Sequence, residues 1–142
     1  MSVDVKYRAE ASATGGGRNG SAILASGMLS VAMATPKELG GSGKGHNPEE
    51  LFALGYAACY LGAMRFVAQA EKLGVVPEDA SDTATVGIGP RSDGGFGLAV
   101  DLVVSMPGVD AETARRIAER GHHICPYSNA TRGNIVVTTT VA

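Results

Sequence analysis

Hydrophobic and polar residues alternate over positions 3–11, near the start of the chain, and this period of two predicts a β-strand. Two further short segments, 21–24 and 29–34, have the same strand-like character. Later in the chain, 83–89 and 96–106 also resemble strands, and the turn-forming sequence RSDGG joins them. We therefore expect three short strands early in the chain and a hairpin in its second half.

The most apolar stretch of the chain predicts a helix with a well-defined first turn. Asn47 suits the N-cap position, and Pro48 suits the first helical position because no amide hydrogen is needed there. Glu49 and Glu50 place negative charge at the positive end of the helix dipole. Glu50 also stands at the third helical position, where a carboxylate can close a capping box. We therefore expect a structural role for Glu50.

This first helix should be long and buried. We expect it to end near Leu73, with Gly74 as the stop. Residues 51–64 carry no charge and are apolar on nearly every face of a helix. A helix of this length would span roughly 39 Å, which is more than one small sheet can cover. We therefore expect a homodimer in which two such helices pack between two sheets.

The remaining pattern indicates the fold class. A second amphipathic helix is predicted from Asp110 to about Ile124, and a β-branched segment at 135–141 predicts a closing strand. The order of elements is then strands, long helix, strands, helix and strand, which is typical of the α+β class. No repeat, low-complexity tract or clear linker interrupts the chain, so we expect a single domain over residues 1–142.

Composition and charge narrow the classes of function. Of the 142 residues, 44% are hydrophobic and 18% are charged, as in ordinary soluble proteins. A net charge of −2 offers no basic surface for nucleic acid or for an anionic membrane. The opening sequence MSVDVKYRAE lacks the apolar core of a signal peptide, and the run 51–64 is shorter than the roughly 20 residues that span a bilayer. We expect a soluble cytoplasmic protein.

The two cysteines, Cys59 and Cys125, are the first candidates for chemistry. Because the cytosol keeps thiols reduced, such a pair is more often catalytic, redox-sensing or simply buried than a permanent cross-link. Cys59 lies in the apolar helix, where burial raises the pKa of a thiol and leaves it inert unless a cation approaches. Arg18, in the sequence GGGRNG, is the best placed cation, although on spacing alone a solvated surface turn is the simpler interpretation.

The glycine-rich sequences do not predict a nucleotide site. Gly15, Gly17 and Gly20 match the dinucleotide-binding pattern G-x-G-x-x-G, but no helix is predicted to open after them. The sequence GGSGKGH lacks the Ser or Thr that follows the lysine of a phosphate-binding loop. We therefore interpret both sequences as loops that let the backbone turn tightly.

Cys125 ends the second predicted helix, because Pro126 stops the helix there. The negative end of a helix dipole disfavours a thiolate, so Cys125 suits the role of resolving thiol better than that of first nucleophile. With His122 and His123 it is also a weak candidate for a metal site, since the chain has no C-x-x-C pair and only one further histidine, His46. The simpler interpretation of His122 and His123 is as partners of the helix dipole.

Helix geometry constrains how Glu49 could contribute to a site. Glu49 is not needed for the capping box and is free to orient a guanidinium. It lies ten residues before Cys59, which is roughly 15 Å along one helix axis. If both residues serve the same thiol chemistry, Glu49 and its arginine partner should come from the other subunit. We therefore predict a composite site at a dimer interface.

The sequences around the two cysteines resemble a known family. NPEELFALGYAACYLGAM surrounds Cys59 and HHICPYSNATRGN surrounds Cys125. Together with TPKELGG, GGRNG and VGIGP, they resemble the organic hydroperoxide resistance (Ohr) branch of the OsmC/Ohr family over essentially the whole chain. Where we expect Thr-Asn-Pro-Glu-Gln, this chain has His46 and Glu50 in place of the threonine and the glutamine. The added carboxylate should slightly weaken the field of Arg18 at a thiolate.

The resemblance implies a domain-swapped α+β homodimer, with two sheets packed around long central helices and two composite sites. It implies a peroxidase that prefers alkyl and lipid hydroperoxides, with Cys59 as the peroxidatic and Cys125 as the resolving residue. Arg18 and Glu49 would be the polar pair beside the thiolate. The Cys59 sulfenic acid would condense with Cys125 to a disulfide. No bound cofactor or metal is implied, and dihydrolipoamide or a lipoylated protein would be the electron donor.

Two other functions stay open on the residues alone. A redox sensor would use the same disulfide to alter a partner interaction, although neither a basic surface nor a DNA-reading helix is evident. A structural dimer with two inert cysteines would need no chemistry at all. Catalytic turnover of an organic hydroperoxide separates the peroxidase from both.

Overall fold

A computed structural model gives the positions of all 142 residues, which form six strands, three α-helices and two 3-10 turns. The chain divides into two compact units, Met1–Leu51 and Phe52–Ala142, each with its own sheet. The elements in chain order are β1 (Ala11–Thr14), the 3-10 turn Gly17–Asn19, β2 (Ser21–Leu24), β3 (Ser30–Ala32), the 3-10 turn Lys37–Leu39, α1 (Pro48–Ala70), β4 (Ser81–Pro90), β5 (Phe96–Ser105), α2 (Ala111–Ile124), α3 (Pro126–Thr131) and β6 (Val136–Val141).

The first unit contains a three-stranded antiparallel sheet in the order β1-β2-β3. The link between β1 and β2 turns tightly, because Gly15, Gly16 and Gly17 all adopt positive φ angles that glycine tolerates best. At Gly20 a β-carbon would collide with the carbonyl of Thr14, so the close approach of the chain there also requires glycine. These glycines fix the 3-10 turn that carries Arg18.

The strand predicted over residues 3–11 is wrong for the single chain. Residues 1–10 carry no secondary structure, and β1 begins at Ala11. The alternation is present, but a strand also needs a hydrogen-bonded neighbour, and this segment meets the sheet at the Glu10 carbonyl, which accepts from the Ala25 amide. Its apolar side chains stay exposed: Val3, Val5 and Tyr7.

The second unit contains a sheet in the order β4-β5-β6. The predicted hairpin is confirmed, with antiparallel pairing that runs from Ser81 opposite Ser105 to Pro90 opposite Phe96. Strand β6 runs parallel to β5, which requires a crossover, and α2 and α3 supply it. The α+β class expected from the sequence is confirmed, whereas a single domain over the whole chain stays a prediction.

The core of the second unit lies between its sheet and the two longer helices. From Val100 to Val104 every second residue of β5 is buried, so one face of the sheet points inward. The largest fully buried side chains come from α1, β5 and α2: Tyr56, Tyr60, Met64, Val67, Val100, Leu102, Val104 and Ile117. This packing fixes the middle of α1 and the end of α2 relative to each other.

The start of α1 forms as predicted. The Asn47 side-chain oxygen accepts from the Glu50 amide at 3.0 Å, and the Glu50 carboxylate accepts from the Asn47 amide at 3.4 Å. This reciprocal pair is the capping box expected from the sequence. It holds the first turn of the helix, where Glu49 also lies.

The end of α1 comes earlier than predicted. The helix stops at Ala70 rather than near Leu73. Lys72 takes a left-handed φ of 53°, and the Leu73 amide bonds back to the Ala68 carbonyl. This is the geometry of a helix C-cap, so Lys72 ends the helix before Gly74 is reached.

One side of α1 stays exposed in the single chain. Leu54 and Phe66 are 69% and 61% exposed, and Ala58 and Gly62 between them are exposed as well. These residues, here called the α1 stripe, are spaced four apart and follow one side of the helix. By length and composition alone α1 could cross a membrane, a property that core helices of soluble proteins share. The burial on every side that the sequence predicted is therefore incomplete within one chain.

Candidate functional site

The two cysteines lie side by side in the second unit. Cys59 stands in the middle of α1, and Cys125 stands at the junction of α2 and α3. Both thiols are free, and their sulfurs are 3.4 Å apart. A movement of roughly 1.4 Å would bring them to the length of a disulfide bond. Cys125 is fully buried whereas Cys59 is partly exposed, so a reagent reaches Cys59 first.

The surroundings of Cys59 oppose its ionisation. Burial raises the pKa of the Cys59 thiol above its ordinary value. A hydrogen bond from the Tyr127 backbone acts in the other direction, and the neighbouring Cys125 raises the pKa further. With these neighbours alone the thiol stays protonated near neutral pH, and a protonated thiol is a weak nucleophile. Thiol chemistry at Cys59 therefore needs a nearby cation.

Arg18 and Glu49, in the first unit, form a two-pronged ion pair. The Arg18 Nη2 and Nη1 atoms donate to the Glu49 Oε1 and Oε2 atoms at 2.6 and 3.1 Å. The hydrogen bond from Arg18 holds the pKa of Glu49 below its ordinary value, and Glu49 raises the pKa of Arg18. Glu49 therefore fixes the orientation of the Arg18 guanidinium. Two of the five N–H donors of this group bond to Glu49.

Glu50, the carboxylate that departs from the family pattern, contacts His46 and Asn47 rather than Arg18. One of its oxygens accepts from the Asn47 amide in the capping box. The same oxygen lies 2.9 Å from His46 Nδ1. Both unusual residues, His46 and Glu50, thus contact each other.

Helix α2 ends at Ile124, as predicted, but the short helix that follows it was not predicted. Pro126 is the first residue of α3, whose N-cap is Cys125. Proline suits a first helical position, the same signal that marks the start of α1 at Pro48. The Ser128 amide lies 3.5 Å from the Cys125 sulfur and donates to it. The sulfur thus stands beside a donor amide of α3 as well as at the end of α2.

His122 does not serve as a charged partner of the α2 dipole. Its Nδ1 lies 2.9 Å from Ser128 Oγ, and its Nε2 lies 2.8 Å from Thr139 Oγ1 on β6. Burial lowers the pKa of His122, and the nearby Arg132 and His123 act in the same direction. The imidazole is therefore neutral near pH 7. No pattern in the sequence predicts these contacts, because the three residues meet only in the fold.

Aromatic rings form an apolar wall next to the cysteine pair. The rings of Phe52, Tyr56 and Tyr127 lie with centroids 5.7 to 5.9 Å apart. Tyr127 follows the junction at Cys125 and its backbone contacts Cys59. Tyr127 is 38% exposed, so part of this wall faces solvent.

Comparison with known proteins gives the family of the chain. Residues 41–140 match the family model of OsmC-like protein. The organic hydroperoxide resistance protein of Xanthomonas axonopodis pv. citri (strain 306) is 50% identical over 139 residues, which cover 97% of this chain and 96% of the relative. The chain belongs to the Ohr branch of the OsmC/Ohr family. The resemblance drawn from the sequence is thereby confirmed.

Solved structures of Ohr proteins have the same fold as this Ohr chain. An organic hydroperoxide resistance protein from Elizabethkingia anophelis, with crystallant-derived thiocyanate bound, aligns with a TM-score of 0.91 and 45% identity over 99% of both chains. OhrB of Bacillus subtilis aligns with a TM-score of 0.85 and 36% identity, over 97% of this chain and all of the other. Membership in the family links the Ohr chain to the detoxification of organic peroxides and to defence against oxidative stress.

Proposed function

We propose that this Ohr protein is a cysteine-based peroxidase that reduces alkyl and lipid hydroperoxides to alcohols. The observation that carries the proposal is the 3.4 Å separation of the Cys59 and Cys125 sulfurs, with the first partly exposed and the second fully buried. That arrangement suits an attacking thiol open to substrate and a resolving thiol held against it. The proposed location is the cytoplasm, where both thiols stay reduced between cycles.

The proposed cycle has three balanced steps. The Cys59 thiolate attacks the terminal oxygen of the hydroperoxide, the O–O bond breaks, and the alkoxide takes a proton and leaves as the alcohol. The resulting Cys59 sulfenic acid condenses with the Cys125 thiol, forming a disulfide and releasing water. A dihydrolipoyl dithiol, free or carried by a lipoylated protein, then reduces the disulfide by exchange and is itself oxidised to a cyclic disulfide.

Arg18 is the proposed cation for this chemistry. Glu49 holds its guanidinium, whose charge would stabilise both the Cys59 thiolate and the oxygen that becomes negative during attack. We infer that the Arg18–Glu49 pair acts on Cys59 across a subunit interface. The reason is the sequence separation of Glu49 and Cys59, roughly 15 Å along a helix.

Two exposed apolar features support a homodimer. The α1 stripe leaves Leu54 and Phe66 in contact with solvent, and burying such side chains contributes about 1.5–3 kcal/mol each. Residues 1–10 keep their strand-like alternation but have no strand partner in their own chain. A second copy would supply cover for the helix and a neighbour for this segment, which gives both features a function.

The aromatic wall supports the proposed preference for alkyl and lipid hydroperoxides. Phe52 and Tyr127 offer apolar surface beside Cys59, and the exposed part of Tyr127 leaves that surface open to a ligand. An apolar substituent on the hydroperoxide would gain contact there that hydrogen peroxide cannot make. The preference for organic hydroperoxides follows from this difference.

A turnover experiment tests the proposal. Pure protein is mixed with cumene hydroperoxide and dihydrolipoamide, and loss of the peroxide is followed over many equivalents. Continued turnover is expected. A single stoichiometric oxidation would favour a redox sensor instead. No oxidation at all would favour a structural dimer with two inert cysteines.

A further inference from the structure

Buried and partly buried hydrogen bonds connect four elements of the second unit next to the cysteine pair. The His122 ring bonds Ser128 of α3 through Nδ1 and Thr139 of β6 through Nε2. The Tyr56 hydroxyl, from α1, lies 3.0 Å from the same Ser128 Oγ. Tyr56 and Ser128 are only 0% and 4% exposed. The proposed peroxidase cycle uses none of these side chains.

Ser128 is the residue that links these hydrogen bonds to Cys125. Its Oγ is held from two sides, by the His122 ring and by the Tyr56 hydroxyl. Its own amide donates to the Cys125 sulfur at 3.5 Å. The α3 backbone sets the direction of this amide, and the bonds that hold the hydroxyl from two sides restrict movement of the same residue. An N–H that points at a sulfur stabilises negative charge on it.

We propose that His122 is a positioning residue for Cys125, which holds the Ser128 amide against the sulfur while Cys125 attacks the Cys59 sulfenic acid. This inference rests on the proposed peroxidase function. In that step the Cys125 thiol gives up its proton, the S–S bond forms and the S–O bond of the sulfenic acid breaks. The departing hydroxide takes a proton and leaves as water. Negative charge on the Cys125 sulfur is greatest as the attack begins, which is when the amide contributes most.

His122 positions Ser128 by hydrogen bonds rather than by charge. Burial, Arg132 and His123 together lower the pKa of His122, so the imidazole is neutral near pH 7. A neutral imidazole donates at one nitrogen and accepts at the other, which suits a site between two hydroxyls. The titratable side chains around the ring are Arg132, His123, Arg115, Glu119, Tyr56 and Tyr60, and the ring of Tyr60 stacks on it at 4.3 Å.

Two substitutions of His122 separate the two hydrogen bonds. His122→Asn places an amide near the position of Nδ1 and can keep the bond to Ser128. His122→Gln places an amide near the position of Nε2 and can keep only the bond to Thr139. Both variants lose the ring and its stacking on Tyr60, so each is the control for the other.

The measurement is the rate of disulfide closure after one equivalent of cumene hydroperoxide, followed by alkylation and mass spectrometry. Dimedone traps the Cys59 sulfenic acid in parallel samples. We expect His122→Gln to close the disulfide roughly tenfold more slowly than wild type and His122→Asn to stay within about twofold. His122→Gln should also give more dimedone adduct of Cys59 than His122→Asn, because its sulfenic acid persists longer before Cys125 captures it.

The outcomes separate this inference from the proposed function. Absence of any sulfenic acid in the wild-type protein would overturn the peroxidase itself. Normal oxidation of Cys59 with equal closure rates in the Asn and Gln variants would show that His122 does not position Cys125. If either variant fails to fold, Ser128→Ala decides, because it keeps the amide and removes the hydroxyl. Slowing of roughly tenfold in Ser128→Ala supports the inference, and closure at the wild-type rate overturns it.

Discussion

At the scale of single residues, the two thiols differ in their exposure to solvent. Cys59 is partly exposed and Cys125 is fully buried at 3.4 Å from it, so only the first can meet a bulky hydroperoxide directly. We predict that Cys125→Ser oxidises once at Cys59 and then accumulates the sulfinic acid, because no thiol remains to capture the sulfenic acid. Mass spectrometry after several equivalents of peroxide measures the added oxygens.

The matched control is Cys59→Ser, in which the buried Cys125 remains alone. We expect it to consume no peroxide over the time that oxidises the wild-type protein. Sustained turnover of Cys125→Ser with dihydrolipoamide would show that Cys125 is not the resolving residue.

Among the elements, β4 carries a carboxyl group whose oxygens are buried without a partner. Asp82 faces inward opposite Val104, and both of its carboxylate oxygens are buried with no hydrogen bond. Burial raises the pKa of Asp82 to about 7 from the ordinary value of 3.8. Between these values the folded protein holds a proton that the unfolded chain releases, so stability falls as the pH rises and is lowest above pH 7.

Asp82→Asn should therefore stabilise the protein most at alkaline pH. We expect the free energy of unfolding to rise by about 1–2 kcal/mol at pH 8, a figure reduced because the side chain is only partly buried, and by much less at pH 4. Urea unfolding at both pH values measures the change. Asp101→Asn, on the exposed face of β5, is the control and should change little. An Asp82→Asn effect that is equal at both pH values would contradict this account.

The exposed α1 stripe leads to a separate prediction about how two copies of the chain would pack. A side chain at Gly62 would meet no atom of its own chain within 4 Å, so a larger residue there fits the single chain. If a second helix packs on the stripe, Gly62→Leu should push the helices apart and shift the protein from dimer to monomer, measured as molar mass by light scattering. Arg116→Leu, at an exposed position of α2, should leave the mass unchanged. A Gly62→Leu dimer as stable as wild type would show that the stripe is not the interface.

The whole molecule is proposed to build each site from two subunits. Cys59→Ser and Arg18→Ala should each have little activity, but mixed dimers would contain one site with both native residues. After joint unfolding and refolding of equal amounts, we expect about a quarter of wild-type turnover, because half of the dimers are mixed and each has one intact site. Sites confined to single chains would show no recovery.

The structure also provides the control for this experiment. Cys59 and Cys125 contact each other within one chain, so Cys59→Ser mixed with Cys125→Ser should not restore turnover. Recovery in that mixture would mean that the disulfide forms between subunits.

Local interactions were the most predictable part of the fold. The capping box of α1 joins residues three apart, and α2, predicted from Asp110, begins at Ala111 with Asp110 as its N-cap. Both interactions involve only residues that are close together in the sequence. The end of α1 was less predictable, because Lys72 takes a left-handed φ that its sequence does not favour.

The candidate site was predictable only where its sequence is distinctive. The sequences around Cys59 and Cys125 matched a family, and the structure brings these cysteines together although they are 66 positions apart. The Ser128–His122–Thr139 bonds join residues 6 and 17 positions apart across three elements, and none of these residue types marks a site by itself.

The sequence by itself determined the α+β class, the start of the long helix, the family and the identity of the two thiols, because each depends on local pattern or on a distinctive run of residues. Only the tertiary structure decided which groups surround each sulfur, that Pro126 opens a helix beside Cys125, and that His122 is partly buried and neutral. Burial and hydrogen bonding depend on atoms brought together by folding, and distance along the chain does not reveal them.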